Sequence, residues 1–242
     1  MVEHGYVYTS ETDRYHALVS YEDYQGNLPI AITKILQHHV SSILESGAGT
    51  GRLTRLLLPL TENIAVFDLS HAMLSSARRY LPMKASNLTG LSVCDHRHLP
   101  VRDNLFDWIV SGWSICYLSS WHRETWKEEV LKAFSEFVTV LKPEGKILII
   151  ETMGTGQNQP NPPSQLVDYL GFLNASGFSH QTIQTDYEFP NSTIAKDLVE
   201  FFFGEDMVQL IINKEKPILP EYTGLWFITR QELLKNIDIL NT

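Results

Sequence analysis

One stretch constrains this chain more than any other: Ile43-Leu44-Glu45-Ser46-Gly47-Ala48-Gly49-Thr50-Gly51-Arg52-Leu53. A short apolar run ends on an acid, three alternate glycines follow, and an amphipathic run resumes. A strand, a tight turn and a helix satisfy that order. Glycine removes the Cβ penalty of a sharp turn and lets a ligand approach the backbone. The helix start behind the turn leaves N–H groups unpaired. Counted from Gly47, a dinucleotide fingerprint would need its third glycine at Arg52, and a phosphate loop would need Lys and Ser or Thr after Gly51. The turn serves some other ligand.

The flanking pattern places the turn in an α/β fold. Ser42–Glu45, Ile64–Phe67, Leu91–Cys94, Phe106–Val110 and Lys146–Ile150 read as short buried strands. Helices are expected over Pro29–His39, Arg52–Leu58, from an N-cap at Ser70 to Tyr80, and over Arg123–Val140. Such alternation argues a doubly wound, mostly parallel sheet with helices on both faces. Ligands then bind beyond the carboxyl ends of the strands, where strand order reverses. Past a Gly/Pro/Asn/Gln loop at 154–164, a helix (Gln165–Ser176), a strand (Ser179–Phe189), a helical stretch (Ser192–Asn213) and a last strand (Tyr222–Thr229) are expected. The connection 190–220 is long, as functional connections are. One domain spanning 1–242 is expected, with a tyrosine-rich N-terminal cap at 1–40 and a lid-like insertion at 190–220.

Glu45-x-Gly47-x-Gly49-x-Gly51 resembles the first motif of the class I S-adenosylmethionine-dependent methyltransferases. Four more landmarks agree in order: Asp68 ending Ala65-Val66-Phe67-Asp68, Asp95 ending Val93-Cys94-Asp95, the run Leu99–Asp107, and Leu141-Lys142-Pro143-Glu144-Gly145-Lys146. The resemblance covers about Ser42–Thr152. It departs at Ser46-Gly47-Ala48, where many members carry an apolar residue and Cys; both changes are small for small.

The resemblance implies a Rossmann-like, seven-stranded sheet with an antiparallel last strand. It also implies S-adenosylmethionine as the methyl donor and S-adenosylhomocysteine as product. The cofactor residues it implies are Glu45, Gly47, Ala48, Gly49, Gly51, Asp68, Leu69, Asp95, His96, Ser111 and Trp113. Glu45 would serve the methionine end, Asp68 the ribose hydroxyls, and Asp95 the adenine amino group. His122, Tyr117 and Glu151 are the catalytic candidates. The chemistry needs a base only for an acceptor that must lose a proton.

Composition narrows the acceptor. The net charge is −9, which opposes phosphate backbones, so no nucleic-acid partner is expected. Ser111-Gly112-Trp113-Ser114 replaces the Asn/Asp-Pro-Pro-aromatic signature of amino-group nucleic-acid methylators, and Cys116 follows Ile115 rather than Pro. A small-molecule acceptor in an apolar pocket is the expectation. The alternatives are methylation of a protein or RNA, a non-catalytic S-adenosylmethionine-binding protein, and a nicotinamide oxidoreductase, which the glycine spacing disfavours. Cys94 and Cys116 have no metal-ligand spacing, so no metal is expected. The first ten residues lack a signal-peptide pattern and no apolar run reaches membrane-span length, which points to the cytoplasm.

Overall fold

The computed structural model describes residues 4–82, 85–211 and 216–240. The chain opens with α1 (His4–Ser10), α2 (Thr12–Val19) and α3 (Asn27–Leu36). Alternation follows: β1 (Val40–Ser46), α4 (Arg52–Leu57), β2 (Thr61–Asp68), α5 (His71–Tyr80), β3 (Leu88–Val93), β4 (Phe106–Gly112), α6 (Cys116–Trp121), α7 (Trp126–Val140) and β5 (Leu141–Thr155). The remainder comprises α8 (Val167–Ala175), β6 (Ser179–Gln184), β7 (Tyr187–Glu188), α9 (Ser192–Phe203), α10 (Glu205–Val208), β8 (Ile218–Leu219), β9 (Glu221–Thr229) and α11 (Arg230–Leu240).

Seven strands form one sheet in the order β3-β2-β1-β4-β5-β9-β6. The first five pair in parallel, and β9 runs antiparallel to both β5 and β6. From β1 the chain moves outward to β2 and β3, then returns to β4 on the other side. Strand order therefore reverses between β1 and β4, and the ligand crevice of such a sheet lies beyond their carboxyl ends.

The pleat explains why both faces carry helices. Ile109, Ile147 and Ile149 join Phe134 and Phe137 of α7 and Leu173 of α8 in one core. The alternate residues Trp108, Val110, Leu148 and Ile150 join Leu28 and Ile32 of α3 and Leu53 and Leu57 of α4 in the other. Successive strand residues point to opposite faces. Each buried leucine or isoleucine contributes about 1.5–3 kcal/mol, so the two cores hold the sheet rigid beneath the site.

Several boundaries differ from expectation. The strand expected over Ser179–Phe189 splits, because Thr185 and Asp186 leave the sheet to bind the backbone of Glu221, through Thr185 N to Glu221 O at 2.8 Å and Glu221 N to Asp186 Oδ1 at 2.9 Å. β7 then pairs with β8 in a separate two-stranded sheet. The expected Ser192–Asn213 helix breaks at Gly204, and its residues 212 and 213 lie outside the described residues. So do residues 1–3 of the expected cap. Within the expected 1–40 cap, α3 packs into the sheet core through Leu28, Ala31, Ile32 and Leu36. A third apolar cluster joins Leu18 of α2 to Tyr187 and Phe189 and, in the insertion, to Leu198, Val199 and Leu219. No described helix is long and apolar enough to cross a membrane.

Candidate functional site

The glycine turn is pinned to the end of β2: Gly47 N and Ala48 N both donate to Phe67 O, at 2.8 and 3.0 Å. Gly47 has φ +82°, and a Cβ there would lie 1.8 Å from Ser114 Oγ. No other residue type fits this backbone and this neighbour together. Asp68 grips the turn from β2. Its Oδ2 accepts from Gly49 N and its Oδ1 from Ser70 N, both at 2.7 Å. Burial raises its pKa. Ser70 caps α5, as expected, by accepting from Met73 N at 3.2 Å.

Glu45 ends β1 almost fully buried. Thr54 Oγ1 donates to its Oε2 at 2.6 Å, while Oε1 has no hydrogen-bond partner. Burial pushes its pKa up to about 8. His96 sits between two hydroxyls, with Nδ1 2.6 Å from Ser46 Oγ and Nε2 3.0 Å from Ser114 Oγ. Desolvation lowers its pKa to about 4, so the ring is neutral at pH 7.

These groups line a cavity of about 560 Å³ at the reversal of strand order. Of the expected cofactor residues, Glu45, Gly47, Ala48, Gly49, Asp68, Leu69, His96 and Trp113 are in its wall. Gly51, Asp95 and Ser111 are not. Gly51 turns the chain into α4, its N–H donating to Ala48 O at 3.0 Å. Ser111 Oγ donates to Ser46 O at 2.8 Å and is spent inside the sheet. Asp95 is held by Arg97, through Nε at 2.9 Å and Nη2 at 2.6 Å, and those bonds keep its pKa down to about 2.

The catalytic candidates divide as well. Tyr117 lines the cavity, and its hydroxyl is hydrogen-bonded to that of Tyr8. His122 instead ends α6 beside a separate shallow recess, its Nε2 3.3 Å from Arg97 Nη1. Glu151 is fully buried away from the cavity wall. It accepts from Cys116 N and from Tyr169 Oη, each at 3.2 Å. Burial raises its pKa to about 7. Glu151 thus holds the start of α6, the helix that carries Tyr117.

The rest of the wall was not legible in the motif. Tyr8 and Tyr15 come from α1 and α2, Thr50 from the turn, Arg52 from the start of α4, Ser114 from the segment after β4 and Trp121 from α6. Three ties hold the N-terminal segment to the site. Ser70 Oγ donates to Tyr8 O at 2.7 Å. His16 Nδ1 and Thr50 Oγ1 share a hydrogen bond of 2.9 Å. Arg52 makes two bonds to Glu22, at 2.5 and 2.9 Å, while its guanidinium lies 3.9 Å from the centre of the Trp113 ring. No described residue of the 190–220 insertion lines the cavity. The insertion buttresses the cap from behind, through Arg14 to Asp197 at 2.5 Å and Tyr15 against Phe202.

Comparison with known proteins agrees with this geometry. The family described as "Methyltransferase domain" matches residues 44–149, which run from β1 through β5. Residues 44–149 are thus similar to a methyltransferase domain. An uncharacterized methyltransferase of Oceanobacillus iheyensis is 29% identical over 124 residues, 50% of this chain and 52% of that protein. A malonyl-[acyl-carrier protein] O-methyltransferase of Geobacter sulfurreducens is 35% identical over 105 residues, 43% of this chain and 35% of that protein. The chain thus spans only about half the length, or less, of these curated relatives. Among solved structures, the YcgJ protein of Bacillus subtilis superposes with a TM-score of 0.56 at 15% identity, covering 83% of this chain and 97% of that one. That likeness is one of fold. The matched segment carries the glycine turn and the strand ends of the crevice, while Tyr8 and Tyr15 of its wall lie outside that segment.

Proposed function

We propose that this chain transfers a methyl group from S-adenosylmethionine to a small-molecule acceptor inside the cavity. The observation that carries the reading is Glu45. It is a buried carboxyl group in a cavity wall, with one oxygen unpartnered, beside a glycine turn whose Gly47 tolerates no side chain. An unpaired buried carboxylate is costly unless a ligand completes it. The ammonium of a methionine group is such a ligand, so the residues fit the donor.

Glu45 would hold the amino end, and the Asp68 carboxylate would take the ribose hydroxyls while it fixes the turn through Gly49. Leu69 and Met73 offer apolar wall for the base, with His96 at the other side of the turn. When bound, the sulfonium supplies an already activated methyl group. The protein's share of the work is to align the acceptor and exclude water, and such positioning is worth about 7–11 kcal/mol. Asp95 is bonded to Arg97, and Ser111 to the backbone of Ser46.

The acceptor end is the wall contributed by Tyr8, Tyr15, Trp113, Tyr117 and Trp121. We read residues 1–242 as one methyltransferase unit, α1–α2 as its cap and the insertion as the buttress of that cap. The charge of −9 supports an acceptor other than nucleic acid. Among the described residues no three of His, Cys, Asp and Glu gather as a metal site. The two free cysteines accord with a reducing compartment.

The test is turnover. Protein incubated with methyl-labelled S-adenosylmethionine and a pool of small metabolites is expected to release S-adenosylhomocysteine and to label a low-mass product. Label found only in protein or RNA would overturn the small-molecule reading. Donor binding with no transfer to any fraction would favour a non-catalytic binding protein.

A further inference from the structure

The acceptor end of the cavity is a box of aromatic rings. Tyr8 stands perpendicular to both of its neighbours, at 89° to Tyr15 and 83° to Tyr117, with centroids 5.5 Å apart in each pair. Trp121 extends the wall from Tyr117, at 5.4 Å. Trp113 contributes a further indole. Rings set at right angles make the corners of a container rather than a stack. Their faces carry the negative end of the ring quadrupole, which attracts cations.

The charges of the wall point the same way. Among the described residues, the lining holds no lysine, and its arginine, Arg52, is committed to Glu22 and Trp113. A carboxylate or phosphate acceptor would find no available cation there, only ring faces and the acids Glu45 and Asp68. The titratable groups of the box itself are the phenols of Tyr8, Tyr15 and Tyr117, whose pKa burial raises, and Asp68 and Arg52 act on Tyr15 from the turn. Glu45 and Asp68 are at the turn, His96 is fixed between Ser46 and Ser114, and His71 begins α5. An acceptor that needs a dedicated base is therefore poorly served. An amine is served well, since it enters as the neutral fraction and needs no base at the site. The acidic protein as a whole also draws cationic solutes toward it.

We infer that the acceptor is an amine, held with its nitrogen in the box formed by Tyr8, Tyr15, Tyr117 and Trp121. The inference rests on the reading of the cavity as a methyl-transfer site. The nitrogen lone pair forms the new N–C bond as the C–S bond breaks and its electron pair returns to sulfur. The N-methylammonium product then gives its proton to water. The ring faces favour the positive charge that develops on nitrogen as the bond forms and is complete in the product.

The experiment compares three probes of one shape on protein saturated with S-adenosylhomocysteine: choline, its uncharged carbon isostere 3,3-dimethylbutan-1-ol, and 3,3-dimethylbutanoate. Choline is expected to bind about tenfold or more tighter than either. Equal binding of choline and the alcohol, or tightest binding of the carboxylate, overturns the inference. Tyr8→Leu is expected to remove the preference, and Tyr8→Phe, which keeps the ring, to retain it. Neither is expected to change the ratio of S-adenosylmethionine to S-adenosylhomocysteine affinity. If Tyr8→Leu weakens S-adenosylmethionine alone, the box holds the donor's sulfonium and the acceptor assignment falls. Failure to bind S-adenosylhomocysteine at all removes the methyl-transfer reading and this inference with it. Binding without a choline preference removes only the inference.

Discussion

The two halves of the cavity are built by different means. The half at the strand ends is mainly backbone: a glycine turn, the ends of β1 and β2, and the Asp68 carboxylate that fastens N–H groups. The other half is side chain: rings from α1, α2 and α6, backed by an insertion none of whose described residues lines the cavity. A backbone site leaves its mark as spacing in the sequence. A side-chain site leaves only composition, because what matters is which distant residues meet.

The sharpest break of this contrast is Gly47→Ala. The added methyl would meet Ser114 Oγ at 1.8 Å on a backbone with φ +82°. Donor affinity is expected to fall about a hundredfold or more, since strain and collision act together. Gly49→Ala is the control: φ is +56° but nothing lies within 4 Å of its Cβ, so a loss of about 1–2 kcal/mol is expected. Calorimetric titration of both variants with S-adenosylhomocysteine checks the pair.

Next in size is the tie between the halves. The Glu22 and Arg52 side chains are 2% and 15% exposed, and Tyr187 Oη also donates to Glu22 Oε2 at 2.8 Å. Glu22→Ala leaves a guanidinium buried and unpaired, and is expected to cost about 3–5 kcal/mol. Arg52→Lys is not expected to restore the tie, because an ammonium cannot make the bidentate bond and cover Trp113 together. Thermal unfolding measures both. A cost below 1 kcal/mol would show that cap and turn are independent.

The pH dependence separates the halves more finely. Glu45 and Glu221 have their folded pKa raised to about 8 and Glu151 to about 7, so each keeps a proton in the native state that the unfolded chain has lost. Their effect is that stability falls as pH rises from the unfolded carboxyl value to the folded one. His16 and His96 are lowered to about 4, so they act oppositely between about pH 4 and 6.5 and offset the acids there. Above pH 6.5 the acids act alone. Unliganded protein is expected to lose stability from pH 6.5 to 8, by about 1.4 kcal/mol per pH unit for each such acid below its folded pKa. Glu45→Gln is expected to remove one share of that slope, as read from denaturation midpoints across the range. Donor affinity is expected to rise over the same interval, as Glu45 ionises toward the ligand ammonium.

The smallest effect belongs to the outer contact of the buttress. Arg14 and Asp197 are 38% and 60% exposed, and exposed pairs contribute about 0–1 kcal/mol. Asp197→Asn is expected to leave the melting temperature and donor binding almost unchanged. A large change would mean that the insertion controls the cavity directly.

What was legible in the sequence follows the same division. The sheet, its winding and the turn were readable because Glu45, the three glycines and Asp68 must recur at strand ends for geometric reasons. Asp95 looked equivalent to Asp68, but Arg97 two residues later takes its carboxylate. A motif shows where an acid stands and not what it is bonded to. His96 was named from the resemblance alone; what holds it in the wall, two serines from the turn and from the segment after β4, has no local signal. Tyr8 and Tyr15 belong to two short helices whose rings converge with Tyr117, more than a hundred residues away, and no local period encodes that meeting. Glu151 sat at the right strand end for an acceptor contact, yet the strand carries it below the cavity to hold α6.

The most direct test of the account is calorimetric titration of native protein and Asp68→Ala with S-adenosylhomocysteine and NADH. The account predicts micromolar binding of S-adenosylhomocysteine by the native protein, loss of about tenfold or more in the variant, and no binding of NADH. Folded native protein that ignores S-adenosylhomocysteine, or that prefers NADH, would contradict it.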